Sequence, residues 1–442
     1  MLQNIFKSEK NPSNNLSMDT KKQSGDSKGL FAGYCTETGN EVYLDYDHLI
    51  LHASICGSLG SGTSILRNSF MKQQMSNGGG LLFIDGGLSD TELETVYRNA
   101  CSTGRKSDFM LIDPTDPENP NTYNPIIFGD SQEISSRIIN TVFNMDGKAD
   151  SNYLQSSAVG TLEIIISAFK CLGKAYNLDD LASVLINEQA LMEVKRRLLE
   201  NHEDSQETQQ FLTLLSRYTT NNDFDMEKFK LTLGGLEKRI CELSKSAFGN
   251  VINTYNPEVN LEECILQNKI IYVKLPTSND NHDAVTLAKL IVGECRSAIA
   301  KLQRLPVEAL PNPPFMFWPN ECSSYIDFSW CRMFEQGRSS RFIMIPTFQT
   351  IKSLEHDGDT GLSDIVLGNT YYKFYFKQLN TEAAIQVANE IGMKSGSGSE
   401  ETYVVDPEQI KSIPLGECLL VVGMEQIYRL RLPLTDPAAQ SE

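Results

Sequence analysis

The sequence predicts an α/β fold with a central, mainly parallel β-sheet flanked by helices and interrupted by an all-α insertion, and three observations predict it. A glycine-rich loop, Gly57-Ser58-Leu59-Gly60-Ser61-Gly62-Thr63-Ser64, lies between a short apolar strand and a helix. Apolar strands and helices alternate on both sides of that loop. From about residue 130 to 248 the alternation stops and only helical spacing remains.

Taken in order, residues 1–29 are rich in Ser, Asn, Lys and Asp without apolar period and read as a mobile tail. Two or three short strands with a Thr-Gly-Asn turn then lead into the loop. Ile65 to Met75 follows as a helix, with Leu66, Phe70 and Met71 apolar. Leu81 to Ile84, followed by Asp85, is a short all-apolar run of the kind buried in a parallel sheet, and a helix from Thr91 to Ala100 and another strand, Phe109 to Asp113, continue the alternation. In the insertion, SQEISSRIINTVFN, the run Ser156 to Leu172, LDDLASVLIN, QALMEVKRRLLENH, ETQQFLTLLSRYTT and MEKFKLTLGGLEKRICELSKS all carry helical spacing. The sheet resumes with Lys269 to Leu275, a helix from Ala284 to Arg304, and strands at Phe315 to Trp318, Arg341 to Ile345, Tyr371 to Phe376, Cys418 to Val422 and Ile427 to Leu432. Ser395 to Ser399 reads as a flexible loop. The division expected is a first nucleotide-binding part at 30–129, the all-α insertion at 130–248, a second nucleotide-binding part at 249–434, and a short tail at 435–442.

Composition narrows the class. With 442 residues, 40% apolar and 9% aromatic, the chain is globular and large enough for one large core or two ordinary ones. A formal net charge of −18 opposes a whole-molecule field that gathers nucleic acid. Lys195, Arg196, Arg197 and Arg239 are interleaved with acids and read as solvated helix faces. No apolar run reaches the length of a membrane helix, and the first residues lack a signal-peptide core, so the expected location is cytoplasmic, or peripheral to a membrane. Ten cysteines without metal-ligand spacing read as reduced thiols. His48 and His52 flank a strand and do not suggest a metal pair.

The chemistry-bearing motif is the loop. It fits G-x-x-x-x-G-K-[ST] at every position but one, where Thr63 stands for Lys. Its N–H groups can cradle phosphates and its last hydroxyl can reach Mg²⁺, yet the ammonium that would touch the β and γ groups is missing. A lysine about 4 Å from a phosphate charge contributes about 4 kcal/mol at an effective dielectric near 20. If water or Thr63 recovers half, about 2 kcal/mol is lost, roughly thirtyfold in affinity or rate. The strand Phe315-Met316-Phe317-Trp318 ends in Pro319-Asn320-Glu321, where ATPases of this kind carry Asp-Glu to steady Mg²⁺ and orient water. Asn320 drops that charge, and Glu321 retains a base. Arg338 and Arg341 precede the strand beginning at Phe342, and Gln349 follows it.

In this order the segments resemble the type IV secretion coupling proteins of the TraG/TraD class, which are RecA-like P-loop ATPases. GNEVYLDYDHLILHASICGSLGSGTS is similar to that family's approach to its phosphate loop, and FIDGG with DFMLIDPTDPENPNTYNPI to its next strands. FGNVINTYNPEVNLEECILQNKIIYVKLPT, PPFMFWPNECSSY, IVLGNTYYKFYFK and IKSIPLGECLLVVGMEQIYRLRLP resemble the remainder, from about residue 31 to 433. The resemblance implies ATP and Mg²⁺ as cofactors, with binding expected to be weak. It implies that Gly57, Gly60, Ser61, Gly62, Thr63 and Ser64 surround the phosphates and that Ser64 and Asn320 lie on the metal side. Glu321 falls at the water, Gln349 at a sensor, and Arg338 at a finger reaching a neighbouring subunit.

The implied partners are inner-membrane components of a secretion system and DNA or protein substrates, with a homo- or hetero-oligomeric ring. Thr63 for Lys, Asn320 for Asp, and the absence from this sequence of membrane helices and a long adaptor tail depart from the family. Three readings are open: an active ring motor, a non-catalytic assembly protein with impaired hydrolysis, or a chain whose two residues were exchanged to trap a state.

Overall fold

The computed structural model describes residues 29–87, 90–116, 121–143, 152–221, 223–277, 281–355, 360–395, 401–423 and 426–433. The two expected tails, apart from Gly29, and residues 396–399 of the serine–glycine loop lie outside them. Before the helical region run β1 (Gly29–Cys35), β2 (Glu41–Asp45), β3 (Ala53–Cys56), β4 (Leu81–Asp85) and β5 (Phe109–Ile112). Within it is one small hairpin, β6 (Thr219–Thr220) with β7 (Asp223–Phe224). After it come β8 (Ile270–Lys274), β9 (Phe315–Pro319), β10 (Phe342–Met344), β11 (Thr347–Phe348) and β12 (Tyr372–Tyr375). The chain closes with the pair β13 (Met393–Ser395) and β14 (Glu401–Tyr403), then β15 (Glu417–Val422) and β16 (Gln426–Arg431).

Five of these strands form a parallel sheet in the order β10-β9-β4-β8-β5. Seven form a second sheet, β11-β3-β12-β15-β16-β1-β2, parallel over its first three strands and antiparallel beyond. Ile345 N–H donates to Phe317 O at 2.9 Å and Ile55 N–H to Pro346 O at 3.0 Å. The run 342–348 therefore touches both sheets and joins them edge to edge, between β9 and β3.

Strand pleating explains why β4 and β9 are apolar throughout. Leu81, Phe83, Met316 and Trp318 belong to one core with Leu66, Phe70 and Met71 from the helix Thr63–Ser76. Leu82, Ile84, Phe315 and Phe317 point the other way, into a core shared with Leu162, Ile165 and Ile291. Both faces are covered, so alternation gives way to continuous hydrophobicity.

The helical region begins with Ser131–Phe143 and Asn152–Cys171 and ends with Leu261–Leu266. Asn177 forms a capping box with Asp180, and Asn187, Ser205 and Asp225 cap later helices with their side chains. The segment expected to carry helical spacing throughout, MEKFKLTLGGLEKRICELSKS, is broken into Met226–Leu233 and Leu236–Lys245. Gly234 and Gly235 adopt φ of 58° and 87°, which ends one helix and opens the next. Asn124 fastens the region to the sheet: its amide donates to Tyr176 O at 2.9 Å and Thr254 O at 2.8 Å. Tyr123 bridges in parallel to Val259, closing the same junction. All ten cysteines are free thiols.

His52, immediately before β3, is a structural residue. Its Nδ1 accepts from Met344 N–H at 3.1 Å and its Nε2 donates to Phe334 O at 2.8 Å, which fixes a neutral ring between β10 and the helix Trp330–Gly337. Burial pushes its pKa down to about 4, with the Phe334 carbonyl opposing. A lowered histidine pKa gives a stability that is whole above the unfolded value near 6.5 and is lost as pH falls towards about 4. The loss across that window should be about 3 kcal/mol. Urea denaturation at a series of pH values is expected to show a steeper acid-side decline for the native chain than for His52→Asn.

Candidate functional site

The phosphate loop is held open by its neighbours. Gly57 N–H donates to Phe348 O at 3.1 Å, Ser58 N–H to Lys377 O at 3.1 Å, and Leu379 N–H to Ser58 Oγ at 3.1 Å, so the ends of β11 and β12 grip the loop as it leaves β3. Ser61 N–H closes a turn on Ser58 O at 3.0 Å. A Cβ on Gly57 would stand 2.7 Å from both Phe376 Cβ and Ser61 Oγ, and Gly60 and Gly62 take φ of 74° and 100°. These positions need glycine.

Gly62 caps the helix Thr63–Ser76 without any side-chain hydrogen bond. Its first N–H groups therefore face outward, the arrangement that receives phosphate. Ser61 Oγ is buried and has no hydrogen-bond partner among the described residues, a second group suited to an anion's oxygen. The cradle fits phosphates. Thr63 is half-buried at the lysine position, and Ser64 is exposed at the mouth.

Arg67 is the residue that motif reading missed. It lies one turn beyond Thr63 and is 7% exposed. Its Nε donates to Glu92 Oε1 at 3.0 Å, its Nη2 meets Glu92 Oε2 at 2.7 Å, and its Nη1 donates to Asn320 Oδ1 at 3.1 Å. The guanidinium carbon stands 5.3 Å from the Phe83 ring centroid. A signal was available: Arg67 shares the inward stripe of its helix with Phe70, Met71 and Gln74, and a charge at such a position is out of pattern. The side-chain acceptor of Asn320 is thus occupied by an internal cation.

Glu321 follows in the left-handed conformation, φ 50°. Burial raises its pKa above the ordinary carboxylate value, Asp85 adds to that, and Arg67 opposes it. Asp85, at the end of β4, is buried and accepts from Tyr272 Oη at 2.6 Å and Gly87 N–H at 3.0 Å. Gln349 lies beyond β11, with an exposed side chain and a main-chain oxygen that accepts from Gln378 Nε2 at 3.3 Å. Gln378 is fully buried beside Cys56 and was not anticipated.

Gly57, Gly60, Ser61, Gly62, Thr63, Ser64, Asn320, Glu321 and Gln349 all lie where β3, β9 and β11 leave the sheet at their C-terminal ends. Arg338 does not join them. It precedes β10 and is therefore at the opposite, N-terminal edge, exposed in a cavity of about 650 Å³ lined by His52, Glu335, Asp364, Lys373 and Glu390. Arg341 is tied to Pro311 O at 2.9 Å and Asn312 Oδ1 at 3.1 Å, a local structural role. Among the described residues no group of three or more His, Cys, Asp or Glu side chains converges as a metal site, and no helix is long and apolar enough to cross a membrane.

This combination of parallel sheet, phosphate loop and acidic strand end defines a RecA-like P-loop protein with an added helical region. No family model matches the chain. It is 22% identical over 307 residues to the type 4 coupling protein DotL of Legionella pneumophila, a match that spans 61% of this chain and 38% of DotL. The chain thus covers well under two thirds of that relative. In fold it is similar to the bacterial conjugative coupling protein TrwB lacking its first 70 residues, with a TM-score of 0.66, 12% identity, and coverage of 93% of this chain and 91% of the other. TrwB has also been solved with ADP and Mg²⁺. VirB4 of Thermoanaerobacter pseudethanolicus is similar as well, with a TM-score of 0.58, 12% identity, and coverage of 94% and 99%. The chain is thus similar in sequence to a type 4 coupling protein and in fold to a conjugative coupling protein.

Removing Arg67 would leave Glu92, whose side chain is 11% exposed, without its guanidinium. Arg67→Ala is expected to cost about 3 kcal/mol by chemical denaturation. The double variant Arg67→Met/Glu92→Gln should cost less than that single change, because both charges of the pair are removed together.

Proposed function

We propose that the chain is a coupling-protein-like component of a type IV secretion or conjugation system that takes part in recruiting or delivering DNA or protein substrates, with impaired ATP hydrolysis. The observation that carries the reading is the pair of occupied positions in one pocket: a threonine where the phosphate cation belongs, and Asn320 engaged by Arg67 where a carboxylate would face the metal. In this reading the free N–H groups of Gly62, Thr63 and Ser64 bind phosphate, Ser61 Oγ adds a contact, and Gln349 lies beside the loop. Bound Mg²⁺ would shield phosphate charge. Glu321, with its pKa raised, is the group suited to take a proton from water, but with Thr63 in place of a lysine the charge that develops on the phosphates is poorly balanced.

Nucleotide binding is supported by the TrwB structures with ADP and Mg²⁺, and weak binding by the missing ammonium. The division into nucleotide-binding parts at 30–129 and 249–434 around the insertion at 130–248 belongs to the same proposal. So do a homo- or hetero-oligomeric ring and a place in the cytoplasm or at the inner membrane, beside the secretion system's membrane components. The second reading, an active ring motor driving DNA or effector translocation, is favoured by Glu321 alone, which keeps its position and its basicity.

An ATP-binding and turnover assay separates the two. Thr63→Lys is expected to tighten binding roughly thirtyfold, the share assigned to the lysine. Asn320→Asp alone should change little, because the new carboxylate would pair with Arg67. Turnover at a motor's rate by the unaltered chain, abolished by Glu321→Gln, would select the motor.

A further inference from the structure

We propose that Asp85, Glu321 and Thr277 form a binding site for a hard divalent cation, one strand away from Asn320. β4 and β9 are parallel neighbours, with Ile84 opposite Pro319, so Asp85 and Glu321 emerge side by side at the same end of the sheet. Between them the chain turns through Gly86 and Gly87. A Cβ on Gly87 would have Asp85 Oδ1 at 3.4 Å and Glu321 Oε1 at 3.9 Å as its neighbours. A Cβ on Gly86 would run into Thr277 Oγ1 at 2.5 Å, with Asn320 O at 3.5 Å. The two glycines therefore leave a cradle whose polar lining is oxygen.

Two features point to a cation and not to solvent alone. Thr277 is 2% exposed, yet its hydroxyl has no hydrogen-bond partner among the described residues. The charges are also unbalanced: Arg67 is neutralised by Glu92 in a two-pronged pair, Asp85 is met only by a phenol and an amide, and Glu321 makes no hydrogen bond or ion pair among the described residues. Oxygen donors and one or two carboxylates, with the remaining positions filled by water, are the usual surroundings of Mg²⁺. The carboxylate missing at Asn320 is in this way supplied by Asp85.

The inference uses the nucleotide-site reading only for the cation's purpose, so its test contains no nucleotide. Mn²⁺, followed by electron paramagnetic resonance, is titrated into the full chain. The native protein should show a tight class of site above the weak binding expected of an acidic surface. Asp85→Asn and Glu321→Gln should each weaken it by about tenfold or more, and Asn320→Ala should leave it nearly unchanged. Gly87→Ala meets only ordinary contacts, so it should fold normally while its methyl group obstructs the cradle. The inference is overturned if the native chain lacks the tight class, if Gly87→Ala binds as the native chain does, or if Asn320→Ala loses binding as Asp85→Asn does. Failure to bind ATP, with Mn²⁺ binding intact, would refute the nucleotide reading and leave the cation site standing.

Discussion

The guanidinium of Arg67 ties together the three elements that make the pocket. It starts from the phosphate-loop helix, meets Glu92 on the helix after β4, and reaches Asn320 at the end of β9. A lysine could not do this, because a point charge lacks the planar fork that satisfies a carboxylate and an amide at once. The same fork explains the identity of residue 320. An amide oxygen accepts one N–H from Arg67 without adding charge, and Glu92 already neutralises the cation. The pocket is therefore built around an internal ion pair, and its loop can keep its shape with Thr63 in the lysine position.

That shape is maintained from the strand side. Gly57 and Ser58 are bonded to the ends of β11 and β12, and the run 342–348 that includes β11 also welds the parallel sheet to the mixed one. His52 sits at the far end of the same strands, between Met344 and Phe334. The loop strand is thus pinned at both ends by neutral hydrogen bonds. None of these contacts depends on a bound nucleotide, so loss of nucleotide chemistry need not loosen the fold.

Much of this was legible in the residues. β4 and β9 could be read as buried strands because their apolar runs are short and end in polar residues, and the glycine pattern located the loop. Three features were not legible for definite physical reasons. Gly234–Gly235 lies inside a helical hydrophobic pattern, and periodicity does not register two residues in the left-handed region. Arg67 stands outside the phosphate-loop pattern, although its inward position on the helix marked it as a buried cation needing partners. Gln378 belongs to the turn after β12, which no local motif connects to the loop.

The helical region depends on a further buried charge. Arg137, from its first helix, donates to Pro125 O at 2.8 Å and stands 3.6 Å from Glu294, which in turn accepts from Tyr123 Oη at 2.6 Å. Gly293 has to be glycine here, since a Cβ would approach Arg137 Cγ to 2.7 Å. Glu294 lies on the helix His282–Leu302 that covers one face of the sheet, so the arginine joins the first helix of the region to the body that carries the pocket. Arg67 and Arg137 use the same device at two junctions. Each is an arginine in a dry contact, neutralised by one glutamate, with further N–H groups given to neutral oxygens, although Arg137 Nε has no partner among the described residues. Such a pair adds little net stability over apolar packing, but it tolerates only one geometry, because any slippage leaves a charge without a partner. Arg137 supplies that geometric restriction where the helical region meets the helix covering the sheet, and Arg67 supplies it within the pocket.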